Sequence, residues 1–129
     1  MSFDLVAPPY GPFVTRRGVR INGQVLERTD GGTEAGKNIS NARYEVHLRS
    51  YASPDATALV HDFTLDKSAT NAATGYYDDY VSFGATAYSS GLWWEEILVD
   101  TNVIDANTVS GKDERILRRW RQAVEDAAP

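Results

Sequence analysis

Apolar and polar residues alternate with a period of two along much of this chain. Tyr44-Glu45-Val46-His47-Leu48-Arg49 sets Tyr44, Val46 and Leu48 on one face and Glu45, His47 and Arg49 on the other. That is the pattern of a half-buried strand. Leu59 to Leu65 alternates in the same way, with Leu59, His61, Phe63 and Leu65 as its core face. A register that sets Phe63 opposite Val46 would bring Asp62 opposite His47. The stretch from Tyr76 to Asp100 reads as two apolar strands, 76–83 and 92–100, around a small polar connector, 84–91. Two of the three Trp and four of the seven Tyr fall in it, so it should supply the largest block of buried area.

Between these segments the polar punctuation is clear. Asn22-Gly23 inside Val19 to Leu26 predicts a two-residue β-hairpin turn, because both central residues of that turn need positive φ. Residues 29–41 and 66–75 read as polar loops, 50–57 as a turn, and 100–110 as an irregular connection or short edge strand. Ile116, Leu117, Trp120 and Val124 then recur at helical spacing behind a capping-box-like Ser110 and Asp113. They predict an amphipathic helix from about Gly111 to Ala127. Six or more short strands without intervening helices predict a mainly β chain. The expected architecture is an antiparallel β-sandwich over residues 14–109, preceded by a Pro-rich arm, 1–13, and followed by the C-terminal helix in 110–129. Pro8, Pro9 and Pro12 keep that arm extended or looped, either as a frayed terminus or docked on a neighbouring subunit.

A chain of 129 residues is one domain and can bury a core of its own. It contains no Cys, which excludes disulfide and thiolate chemistry. No apolar run is long enough to span a bilayer, and the first residues lack the pattern of a signal peptide. The net charge of -5 argues against a dedicated nucleic-acid binder. Five of the thirteen bases nevertheless fall in one segment: Lys112, Arg115, Arg118, Arg119 and Arg121. That basic segment complements an acidic body, so a contact between copies is as natural a reading as DNA.

Motifs for chemistry fail on inspection. Gly31 to Asn38 has the spacing of a phosphate-cradling loop. However, Asn38 stands where Ser or Thr should hold magnesium, and a strand follows in place of the helix. The Asp100 loop loses the calcium pattern at Ile104 and Asp105. Asn38-Ile39-Ser40 matches a glycosylation acceptor, expected to be unused without a secretory signal. His47 and His61 lack a third zinc ligand, and Asp78-Asp79 and Glu95-Glu96 point to opposite faces of their strands. No enzyme activity, metal or cofactor is expected. The aromatics leave two readings open. Tyr76, Tyr80, Trp93 and Trp94 are either covered on both faces or form a stacking platform for sugar rings.

Residues 41–49, 61–65 and 89–100 together resemble the immunoglobulin-like domains of tailed-bacteriophage virion proteins, such as baseplate, tail and capsid-decoration components. The last segment carries that family's small-residue turn, Gly91, aromatic strand and closing acidic turn. The resemblance implies a non-enzymatic structural protein of the virion, assembled in the host cytoplasm, a homo-oligomer in contact with other virion proteins. Phe13, Arg115, Arg118, Arg119 and Trp120 are then the expected interface anchors, since Trp and Arg dominate interface energies. The alternative is a carbohydrate-binding module using the Trp/Tyr platform.

Overall fold

The computed structural model describes residues 2–6, 13–14, 18–53, 55–56, 58–67, 71–82, 92–122 and 124–125. Ten strands follow in chain order: β1 (Ser2–Val6), β2 (Phe13–Val14), β3 (Gly18–Arg28), β4 (Glu34–Gly36), β5 (Tyr44–Tyr51), β6 (Leu59–Thr64), β7 (Tyr76–Ser82), β8 (Leu92–Ile104), β9 (Lys112–Gln122) and β10 (Val124–Glu125). A single 3₁₀ turn, Ala72–Thr74, is the one helical element among the described residues. Two antiparallel sheets result. In the first, β3 pairs with β1 on one side and with β4 and β7 on the other; the second runs β6-β5-β8-β9. β2 and β10 form a small parallel ribbon.

The sheets share one core. Ile21, Val25, Tyr77 and Val81 of the first pack with Tyr44, Val46, Leu48, Trp94 and Leu98 of the second. Each set alternates along its strands, as the pleat requires. The aromatic strands expected at 76–83 and 92–100 are β7 and β8, and they lie in different sheets.

The C-terminal helix is not there: β9 replaces it, and the chain is β to its last described residues. The helical spacing has a physical origin. A bulge in the β8–β9 ladder pairs Ile97 with Ile116 but Glu96 with Arg118, leaving Leu117 as the extra residue. Crossing the bulge shifts the period, so Leu117 and Trp120, three apart, both pack on the core while Ile116 is 53% exposed. A strand with a bulge thus imitates one turn of a helix. The expected capping residue Ser110 serves a turn: its N–H donates to Glu114 Oε2 at 3.0 Å, and its hydroxyl accepts from the Lys112 N–H at 3.2 Å.

Asn22-Gly23 is not a turn either. β3 runs unbroken for 11 residues, with Gly23 opposite Tyr77. A Cβ on Gly23 would stand 2.8 Å from the Tyr77 hydroxyl, so glycine is there to let that ring cross the strand. The polar segment 29–41 contributes the short strand β4, and β8 continues past Asp100 to Ile104. β5 is covered on both faces, not half-buried, because His47 is hydrogen-bonded between Glu45 and Asp62 and Arg49 is paired with Glu114. Its register with β6 sets Phe63 opposite Leu48 and Asp62 opposite Arg49, two residues from the expected pairing. A shift of two preserves the faces. Asp62 still reaches His47 diagonally, Oδ1 to Nδ1 at 2.9 Å.

Candidate functional site

β9 carries most of the expected interface residues, and the sheet gives each a different task. Glu95 and Glu96 of β8 point to opposite faces, and so do Arg119 and Arg118 opposite them. On the core side, Arg118 donates to Glu96 Oε1, from Nη2 at 2.7 Å and Nε at 3.2 Å. Glu96 has no exposed surface, and its other oxygen accepts from the Tyr77 hydroxyl of the first sheet. The two sheets are therefore tied through one buried carboxylate. Arg118 also lies over the Trp120 ring at 4.9 Å, and the Trp120 indole donates to Gln122 Oε1 at 2.6 Å. On the outer side, Arg119 donates from Nε to Glu95 at 2.7 Å.

Arg118, Arg119 and Trp120 thus each make contacts within the chain. Arg115 is exposed, held by Asp113 at 3.2 Å and lying 5.7 Å from the Phe3 ring centre. Phe13 pairs with Val124 through the backbone; its side chain lies outside the described residues. The signal for the strand was present in the sequence: two adjacent acids, Glu95-Glu96, complement two adjacent arginines on both faces of an antiparallel pair.

The aromatic platform is not assembled. Trp94 is fully buried in the shared core, and Trp93 is half-buried on the outer face of the second sheet. Tyr76 and Tyr80 stand on the outer face of the first sheet, 45% and 71% exposed. Between them the Asp78 carboxylate accepts from Arg20 Nη2 at 2.6 Å and Nε at 2.9 Å. That bond holds the Asp78 carboxyl below its ordinary range.

Two clefts flank β9. One, of about 510 Å³, lies on the outer face of the second sheet, between Tyr51, Glu95, Ile97, Glu114, Ile116 and Arg119. Its carboxylates are already neutralised: Glu95 by Arg119, and Glu114 by Arg49 at 2.8 Å. Burial pushes Tyr51 upward, and the Glu95 charge adds to that. The other, of about 340 Å³, is lined by Phe3, Lys37, Arg43, Tyr44, Asp100 and Arg115 among others. There Lys37 meets Glu27 at 3.2 Å, and Arg43 meets Asp100 at 2.8 Å.

Ser50 Oγ and His61 Nδ1 are 2.7 Å apart, the spacing of a nucleophile and its base. Ser50 has no exposed surface, and the imidazole is stacked on Trp94 at 5.3 Å, so this pair belongs to the core. Gly36 of the phosphate-loop-like segment is filled from another direction: a Cβ there would stand 2.0 Å from the Thr74 carbonyl oxygen. Among the described residues no three His, Asp or Glu side chains are grouped to hold a metal. No helix among them is long and apolar enough to cross a membrane. Comparison with known proteins finds no matching family model, no matching curated protein and no matching solved structure.

Proposed function

We propose that this chain is a non-enzymatic structural protein of a tailed-phage virion, an immunoglobulin-like sandwich acting through protein–protein contacts as a capsid-decoration, tail or baseplate component. The observation that carries the reading is β9, an 11-residue strand that forms one edge of the second sheet among the described residues. It shows Arg115, Ile116 and Arg121 to solvent. A long edge with an exposed apolar residue is a surface made for another chain. Two antiparallel sheets over one core support the immunoglobulin-like kinship. Partners are further copies and other virion proteins, met in the host cytoplasm during assembly.

Immunogold labelling of phage particles from the host that carries this sequence tests the reading. Label on heads or tails supports it. Infectious particles free of the chain contradict it.

One observation favours a second reading, a carbohydrate-binding module. Tyr76 and Tyr80 stand on one face with Arg20, Asn22, Gln24 and Asp78 between and beside them. Rings for stacking and polar groups for hydroxyls are what a sugar needs. Binding on a glycan panel that Tyr80→Ala abolishes would support it, and a silent panel would remove it.

A further inference from the structure

We infer that the cleft of about 510 Å³ on the outer face of the second sheet is a binding site for a neutral sugar, held through a pair of its hydroxyls by Glu95 and Arg119 above an aliphatic floor. The inference is independent of the assembly role, and it concerns the opposite sheet from Tyr76 and Tyr80.

The floor comes from the strand register. Ile97 of β8 lies opposite Ile116 of β9, and both line the cleft. Ile97 is buried, whereas Ile116 is 53% exposed and Val109, in the wall, 47%. A ligand with an apolar face would cover both. That wall, residues 107–109, is fixed without a ligand. The Thr108 hydroxyl donates to the Lys112 carbonyl at 2.5 Å, and the Glu114 carboxylate joins the Ser110 N–H to the Arg49 guanidinium of the sheet. A site built in advance loses less freedom on binding.

The polar groups decide the class of ligand. Arg119 Nε and Nη2 both reach the same oxygen of Glu95, Oε1, at 2.7 and 2.5 Å. Among the described residues no donor reaches Oε2, although the Glu95 side chain is only 7% exposed. A carboxylate accepts through both oxygens and a guanidinium carries five N–H donors. The pair therefore keeps an acceptor beside spare donors. Its charges cancel, as do those of Glu114 and Arg49, so an ion entering the cleft would give up water without gaining a net partner. A hydroxyl both donates and accepts. Two neighbouring hydroxyls can therefore meet Oε2 with one and Arg119 with the other. Tyr51, also in the lining, adds a third polar group. Burial and the Glu95 charge push its pKa up, so its hydroxyl keeps the proton and donates. Hydroxyls at the edge of a C–H face describe a sugar ring, and the volume lies in the range of small-ligand sites.

The test is NMR titration of the full chain with neutral hexoses and N-acetylhexosamines, free and as methyl glycosides. Acetate and ethylammonium serve as charged probes. Amide shifts at Tyr51, Ile97, Thr108 and Ile116 are expected with a sugar and not with the ions. Glu95→Gln keeps one oxygen for Arg119 and puts an N–H donor in place of the other, so it should weaken binding about tenfold or more. Tyr51→Phe, which disturbs no ion pair, should weaken it about threefold. Tyr80→Ala, on the other sheet, should leave it unchanged. Binding of the methyl glycosides assigns the cleft to the end of a sugar chain, and binding of free sugars alone to a free sugar; either supports the site. No shift with any sugar, a response to the ions instead, shifts confined to the Tyr76 and Tyr80 face, or binding indifferent to Glu95→Gln and Tyr51→Phe overturns it. Any of these results would leave the virion role standing and remove only this site.

Discussion

Arg118 meets Glu96 at 2.7 Å inside the core, on the opposite face of the same strand pair from Arg119 and Glu95. The two ion pairs look alike in sequence and differ in solvent. The first pair is the more enclosed: Arg118 and Glu96 keep 23% and 0% of their side chains exposed, Arg119 and Glu95 39% and 7%. Removing one partner of a buried pair strands the other without water, and the water that already reaches Arg119 softens that loss in the outer pair. Arg118→Ala should therefore lower stability by about 3 kcal/mol or more. Arg119→Ala should cost less, about 1–2 kcal/mol. Urea unfolding of both variants checks the contrast; equal losses would contradict it.

Gly23 and Tyr77 should be coupled. Gly23→Ala forces a methyl against the Tyr77 hydroxyl, which cannot swing away while it is bonded to Glu96. Overpacking of this kind costs about 1–3 kcal/mol. In a Tyr77→Phe background the hydroxyl is gone and Gly23→Ala should cost markedly less. A double-mutant cycle measures this. Strict additivity would mean that the glycine serves some other purpose.

The same pair marks how far the sequence could be read. Period-two alternation located β5 and β6, and apolar runs located β7 and the first part of β8. What it missed were places where a tertiary contact overrides a local signal. Asn22-Gly23 spells a turn, but its glycine answers Tyr77, 54 positions along the chain. Ile116, Leu117 and Trp120 spell a helix, but a bulge gives them that spacing on a strand. Of the candidate interface residues, Arg118 and Arg119 are held by the chain's own Glu96 and Glu95. Their complement, Glu95-Glu96, was readable, but pairing it with Arg118-Arg119 requires knowing that both segments are strands.

Acid should weaken the fold through Glu114. Burial pushes its carboxyl upward, but hydrogen bonds from Ser110 and Arg49 outweigh that and hold it below the usual glutamate range. Asp100 is held down by Arg43. A carboxylate whose folded pKa is depressed stabilises fully above its unfolded value and loses that contribution as pH falls through the folded one. Stability should therefore fall below about pH 4. Urea midpoints from pH 6 to 2 should show a shallower decline for Glu114→Gln than for the parent chain; parallel curves would contradict the assignment.

His61 should titrate low. Burial against Trp94 disfavours its charged form and lowers its pKa from the ordinary histidine value. Above about pH 6.5 both folded and unfolded forms are neutral. Below it the unfolded form takes up the proton first, so this residue subtracts stability as pH falls toward the folded value. Ring chemical shifts followed by NMR should place the His61 midpoint below that of a free histidine. A midpoint at or above it would mean that the ring is open to water.

The proposed assembly role depends on β9 as the edge of a sheet. Backbone nuclear Overhauser contacts over residues 92–122 test that most directly. The expected contacts run across the ladder, between Trp94 and Trp120 and between Glu96 and Arg118, with none from i to i+3 within 112–122. A continuous series of i to i+3 contacts through that segment would restore a helix, and would remove the edge on which the proposed contacts depend.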